Sequence, residues 1–409
     1  MRRHYLDHAS TSPLRPEAAA AVREWLESPA GDPGRVHEEG RTVRDAVEDA
    51  RAQVAELLGV RPRQLVFTSG ATEAVHAAAW GASWERPGGA VLCAGVEHSC
   101  VRDSSARLGP VVDLPVDGTG RIDPEGVGAA LRRTGRAASL VHCQSANHEV
   151  GTVQPVAEIL EVCRRAGVPV HVDAASACGH VQLDLEDGPD FVSVSAHKLG
   201  GPPGVGALVL GRGLRIEPLL VGGQQERARR AGMENVCGIV GFGAAAAALA
   251  SGALAAESPA ARAQTERLAA TVLAEAGTVQ IGDAAARVPH IVCFGVEGVE
   301  AEPVLLALDR AGIAVHSGSA CASESLEPSP VLAAMGEDPS RSLRLSVGWS
   351  TTDDDLDAFA AAFGRVVADL RALRGTYAPL ADDVAPGGST RTSHASPPDT
   401  ATSSSKVVG

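Results

Sequence analysis

The chain has 409 residues, 44% hydrophobic and 21% charged, enough for a large core and, on length, two domains. Its formal net charge of −14 argues against nucleic acid and anionic membrane surfaces as partners. Its 8 cysteines include no Cys-x-x-Cys pair, so neither a disulfide framework nor a zinc site is expected, and a reducing cytoplasm is the expected location.

The start, Met1-Arg2-Arg3-His4, is basic but has no apolar stretch behind it, so no signal peptide is expected. Residues 4–15 read as an extended arm. A helix is expected over 16–27, opening on Pro16, with a loop at 31–34. A second helix is expected over 36–58, where Val43, Val47, Val54 and Leu57 recur at helical spacing and Gly59 supplies the stop.

Gln64-Leu-Val-Phe67 reads as a short strand, followed by Thr68-Ser69-Gly70-Ala71-Thr72-Glu73 and then strong helix formers. A strand, a Gly/Ser/Thr turn and a helix N-terminus place free backbone N–H groups where a phosphate can sit. The turn is neither a P-loop nor a dinucleotide turn, and an ordinary helix cap explains it equally well. Strands at 89–93, ending before Glu97-His98, and at 140–143, ending before Asn147-His148-Glu149, alternate with helices. So does the strand Val168-Pro-Val-His-Val-Asp173. This alternation predicts a mostly parallel sheet, whose functional residues lie beyond the carboxyl ends of the strands. Thr72, His98, Asn147, Asp173 and Lys198 all fall there.

His171 and Asp173 share a face of their strand. Three readings of Asp173 are open: a metal ligand with His171, a salt-bridged structural carboxylate, or the partner of a protonated pyridine nitrogen. Phe191-Val-Ser-Val-Ser195-Ala-His-Lys198 is a buried strand that ends on a lysine inside a Gly/Pro-rich turn. A desolvated lysine there is a nucleophilic amine of the kind Schiff-base enzymes use, and a lysine snorkelling from a strand end is the plainer alternative. Ile239 to Ala256 carries no charge, but it is mostly Ala and Gly and reads as a tightly packed internal helix, not a membrane span.

In the last third, strands at 288–294 and 313–316 flank a helix at 301–311 and lead into Ser317-Gly-Ser-Ala-Cys321-Ala-Ser323. A cysteine in such a Gly/Ser/Ala loop is expected to be exposed and mobile, whereas most of the other seven sit in apolar runs. Arg341-Ser-Leu-Arg344-Leu-Ser-Val-Gly348 reads as a strand and residues 353–373 as a helix. Residues 376–409, rich in Ser, Thr, Pro and Gly, are expected to be a disordered tail.

Taken in order, several of these motifs resemble the cysteine desulfurases of aminotransferase class V. They are Tyr5-Leu-Asp7, Thr68-Ser-Gly-Ala-Thr-Glu73, Glu97-His98, Asn147-His-Glu-Val-Gly151, His171-Val-Asp-Ala174, Ser195-Ala-His-Lys198 and Ser317-Gly-Ser-Ala-Cys-Ala-Ser323. The serine-rich Cys321 loop followed by Leu326-Glu-Pro-Ser329 is similar to the family's long-loop branch. The resemblance implies an α/β fold of the pyridoxal-phosphate transferase type, aminotransferase fold type I. Its large domain (16–255) would carry the mostly parallel sheet, and a smaller α+β domain would combine 1–15 with 256–375. It implies a homodimer that binds pyridoxal 5'-phosphate, converts L-cysteine to L-alanine and hands sulfur to an acceptor protein through a persulfide on Cys321. Residue by residue, it makes Lys198 the Schiff-base lysine and substrate base, Asp173 the pyridinium partner and His98 the ring-stacking proton carrier. Ala71, Thr72, Ser195 and His197 would hold the phosphate, Arg344 the substrate carboxylate, with Asn147 beside substrate and ring, and Cys321 would be the nucleophile.

Three positions depart from the family's pattern. His148 stands where a second Asn is usual, and Ser176 where Gln is usual, both on the side of the ring hydroxyl. Met233 of Arg230-Ala-Gly-Met233 replaces a Thr whose hydroxyl reaches the partner subunit's phosphate. The alternatives are a selenocysteine lyase, an aminotransferase or other β-eliminating enzyme on the same fold, or a non-catalytic cofactor-binding scaffold. An aminotransferase needs no thiol in a loop, and a scaffold needs no such set of Lys198, Asp173, His98, Arg344 and Cys321.

Overall fold

Short apolar runs that end abruptly at Gly, Ser or Asp become the strands of a seven-stranded sheet in the order β2-β8-β7-β6-β5-β3-β4. The computed structural model describes residues 2–27, 31–185, 188–317 and 328–376. The strands are β2 (Leu65–Thr68), β3 (Ala90–Ala94), β4 (Val111–Leu114), β5 (Ala138–Gln144), β6 (Val170–Asp173), β7 (Phe191–Ser195) and β8 (Gly206–Leu210). Strands β3 to β7 pair in parallel, while β8 runs antiparallel to both β2 and β7. Every residue of β3, β5, β7 and β8 is buried, as expected of a sheet covered on both faces.

The covering helices are α1 (Pro16–Glu27), α2 (Glu38–Leu57), α3 (Ala71–Glu85), α4 (Ser99–Ala106), α5 (Pro124–Thr134) and α6 (Val156–Ala166). After the turn α7 (Gln225–Ala228) comes α8 (Val236–Ala248), which continues through a π-helical turn at Leu249–Ala253 into α9 (Leu254–Leu273). The charge-free stretch expected to be one helix is therefore interrupted, at Gly252, whose φ is 126°. The stretch Val236–Leu273 is long and apolar enough to cross a membrane by length and composition alone. Its first part packs on α1 and α2, with Ile239, Phe242, Ala245 and Ala246 in the same apolar cluster as Val47, Val54 and Leu58.

A second sheet, antiparallel in the order β12-β10-β9, is built from β9 (Thr278–Ile281), β10 (Ile291–Val296) and β12 (Ser342–Ser346). The helices α10 (Ala301–Arg310), α11 (Pro330–Met335) and α12 (Asp353–Thr376) accompany it. A separate core of Leu6, Val292, Phe294, Leu343, Phe359 and Phe363 fills this part. The N-terminal arm joins it: β1 (His4–Tyr5) pairs with β11 (Ile313–Ala314), and the Ser346 N–H donates to the Leu6 carbonyl. The Cys321 loop and the tail beyond Thr376 lie outside the described residues.

Candidate active site

The carboxyl ends of β2, β6 and β7, with the loops after β3 and β5, enclose a cavity of about 460 Å³. Ala71, Thr72, His98, His148, Asp173, Ser195, His197, Lys198 and Arg344 all line it. A larger cavity of about 740 Å³, lined by Arg61, Arg212 and Leu214, lies at the opposite end of the sheet and contains none of them.

Local structure explains how each side chain arrives. Helix α3 starts on Gly70 with no side-chain cap, so its first N–H groups remain available at the cavity. A Cβ on Gly206 would lie 2.7 Å from the Gly70 backbone, so β8 can approach this turn only as glycine. The Ser195 hydroxyl lies 2.9 Å from His197 Nδ1 beside that turn. After β7 a single 3₁₀ turn, Ala196–Lys198, brings Lys198 round, with Nζ 3.4 Å from the Ser176 hydroxyl. Asp173 ends β6, where its Oδ1 accepts from the Ser193 hydroxyl at 2.9 Å and the Ala175 N–H at 3.0 Å.

His98 caps α4, its Nδ1 accepting from the Cys100 N–H at 3.2 Å. That acceptance leaves the ring proton on Nε2. Burial, then the charge of Lys198, lowers its pKa, which keeps the ring neutral. His148 meets His98 edge-on, ring centroids 5.1 Å apart, and burial holds it well below the ordinary histidine range. Glu97 is fully enclosed, and burial, then the charge of Asp173, pushes it up to about 8. It enters as a neutral acid whose Oε1 accepts from the Gln144 N–H at 2.7 Å.

Arg344 comes from β12 in the second sheet. Its guanidinium donates to the His148 carbonyl at 2.8 Å, Asp7 Oδ1 at 2.8 Å and the Ser10 hydroxyl at 2.6 Å. Its Nε is buried with no partner among the described residues. Asp7 and Ser10 belong to the N-terminal arm, so the arm fixes the arginine that faces the cavity.

Two expected contacts differ. Asn147 does not line the cavity: its Oδ1 accepts from the Glu149 and Val150 N–H groups, each at 2.8 Å, and its Nδ2 donates to the Val96 carbonyl at 3.0 Å. The amide is spent on folding the loop that carries His148. Ser176 is buried outside the cavity lining and meets Lys198 alone among the expected site residues. A serine is too short to replace a glutamine's reach from that position.

The model for Aminotransferase class-V matches residues 4–359. "Cysteine desulfurase IscS" of Dictyoglomus turgidum is 36% identical over 383 residues, covering 91% of this chain and 96% of that protein. The chain belongs to the cysteine desulfurase family. Among solved structures, a NifS-like protein from Rickettsia africae ESF-5 superposes with a TM-score of 0.82 at 26% identity, covering 90% of this chain and 100% of that one. A structure described as "SspA in complex with cysteine" superposes with a TM-score of 0.74 at 28% identity, covering 84% and 99%.

Cysteine desulfurases are pyridoxal-phosphate enzymes, and the residues present fit that group. Uncapped α3 N–H groups, with Ser195 and His197, are the donors that would hold its phosphate at one end of the cavity. An amine, Lys198, and a carboxylate, Asp173, serve the same cavity. Among the described residues no group of three or more His, Cys, Asp or Glu is arranged to hold a metal ion. Cys100, Ala175, His316 and Ser10 also line the cavity and were not anticipated. Cys100 and Ser10 follow motif residues in the chain. His316 could have been suspected only from its place just before the Cys321 loop.

Proposed function

We propose that this protein is a pyridoxal-phosphate-dependent cysteine desulfurase that converts L-cysteine to L-alanine and passes the sulfur on as a persulfide of Cys321. The convergence of Lys198, Asp173, His98 and Arg344 on one cavity carries this reading. When bound, the cofactor supplies an electron sink for the bonds at the substrate's Cα.

Lys198 would hold the cofactor through Nζ, and its amine would carry a proton to and from the substrate's Cα. Asp173 would face the ring nitrogen and hold its proton in place, and His98, neutral with its proton on Nε2, would lie against the ring and exchange protons with the substrate. The α3 N-terminus at Ala71 and Thr72, with Ser195 and His197, holds the phosphate. Arg344, braced by Asp7 and Ser10, would present its guanidinium to the substrate carboxylate. The Cys321 thiolate attacks the substrate's sulfur; the S–S bond forms as the C–S bond breaks. The two sulfurs are oxidised, the carbon is reduced, and a proton completes the methyl group of alanine. The chain enters the Cys321 segment at His316, on the cavity wall, and leaves it at Ser329, whose hydroxyl donates to Glu149 at 2.7 Å.

The functional unit in this reading is a cytoplasmic homodimer serving a sulfur-acceptor protein. In support, Val36, Val221 and Met233 are exposed at 83%, 75% and 57%. The test is alanine and sulfide release from L-cysteine by the purified, cofactor-loaded protein with a reductant present. Equal amounts are expected, with none from Cys321→Ser although that variant keeps its cofactor colour. Sulfide release undiminished in Cys321→Ser would sink the persulfide route, and turnover of selenocysteine alone would make the protein a lyase for that substrate.

A further inference from the structure

Three neighbouring strands place a line of polar side chains inside the sheet, leading to Asp173. His142 on β5 pairs in register with His171 on β6, and Asp173 pairs with Ser193 on β7. His142, His171 and Ser193 are completely enclosed, and none of them lines the cavity. His142 Nδ1 lies 2.8 Å from His171 Nδ1, His171 Nε2 lies 3.1 Å from the Ser193 hydroxyl, and that hydroxyl donates to Asp173 Oδ1 at 2.9 Å.

The direction of every bond in this line follows from its last one. Ser193 has a single hydrogen and gives it to the carboxylate, so toward His171 its oxygen can only accept. His171 must therefore carry its proton on Nε2. Burial lowers His171 to about 3, so the ring is neutral and its Nδ1 is a bare acceptor. The proton between the two imidazoles then belongs to His142 Nδ1. His142 is also held neutral by burial, so its Nε2 is a bare lone pair. That atom has no hydrogen-bond partner among the described residues, which fits a bare lone pair better than a buried N–H.

We propose that His142, His171 and Ser193 form a one-way donor relay that positions Asp173 and keeps the proton of the cofactor's ring nitrogen on the ring. These are positioning residues, and the inference rests on the reading of Asp173 as that nitrogen's partner. The Ser193 hydrogen bond favours the charged carboxylate, and His171 and His142 fix the direction in which that bond points. His142 locks the His171 tautomer. Without it, His171 is free to move its proton to Nδ1. Its bare Nε2 would then draw the Ser193 hydrogen away from Asp173.

The relay is read first in the wild-type holoenzyme, labelled with ¹⁵N in histidine. His171 is expected to be protonated at Nε2 and bare at Nδ1, and His142 the reverse. A His171 proton on Nδ1 overturns the relay with no variant needed. A second measurement uses cofactor carrying ¹⁵N at the ring nitrogen. Ser193→Ala and His142→Phe should each shift that resonance toward the unprotonated value, and Ser193→Thr should restore it. Asp173→Asn separates the two ideas. If that variant leaves the resonance in place, the reading of Asp173 is wrong and the relay falls with it. If it moves the resonance while Ser193→Ala does not, the relay alone is wrong.

Discussion

Arg344 illustrates how one residue can be found in a sequence while its means of action stay hidden. A lone arginine in the run Leu343–Val347 is conspicuous because a buried strand tolerates a charge only when it is paired. Its braces are Asp7 and Ser10, more than three hundred residues earlier, and no local pattern connects them. Lys198 and Asp173 were legible for a similar reason: each ends an apolar strand on a charge. Asn147 and Ser176 were placed by motif, but an amide's direction depends on its loop, and here the loop consumes it. His142 was read only as part of a strand, since nothing along the chain foretells a neighbour from the next strand. For Arg344→Lys, a point charge replaces a planar fork. A hydrogen bond to a charged group is worth about 1.5–3 kcal/mol, so kcat/KM for L-cysteine should fall roughly 10- to 150-fold, mostly through KM. Steady-state kinetics check this, and an unchanged KM would remove Arg344 from the substrate site.

Elements were read best where one physical cause dominates. Pro16 opens α1, and Gly59, with a φ of 65°, stands just past the end of α2, both as their residue types dictate. Strand β8 lies outside the elements read from the sequence. The alternation of strands and helices predicts parallel pairing, yet β7 and β8 are joined by a short turn with no crossover helix, and such a connection returns antiparallel. Helix α8 owes its place to small residues. A Cβ on Gly241 would sit 2.6 Å from both Pro202 and Val22, and one on Gly243 would sit 2.7 Å from Ala50. The Ala/Gly composition that imitates a membrane span is thus what lets α8 lie close against α1 and α2. Gly241→Val should force these elements apart and cost about 1–3 kcal/mol, the usual range for overpacking a filled core. The urea midpoint should fall accordingly. An unaltered midpoint would mean that α8 has room the geometry does not show.

Across the whole molecule, enclosed titratable groups set how stability responds to pH. His8, His142, His171 and His290 are fully enclosed. Burial holds His8 at about 4, His171 at about 3 and the other two well below the ordinary range. In the unfolded chain each takes up a proton near pH 6.5, roughly the free value. Their contribution is therefore intact above that pH and is lost as pH falls toward the native values. Glu97 and Glu149 act in the opposite sense. Chiefly through burial they are raised to about 8 and about 7, so their contribution is intact in acid and is lost as pH rises from the unfolded carboxyl range. The lowered histidines outnumber the raised carboxyls, so below pH 6.5 stability falls as pH falls. Above pH 6.5 the carboxyls prevail with a gentler slope. Urea midpoints at pH 5, 6.5 and 8 should peak in the middle and fall more steeply on the acid side. A midpoint that climbs steadily from pH 5 to 8 would mean that Glu97 is ionised next to Asp173. The site beside Lys198 would then be more negative than a neutral Glu97 allows.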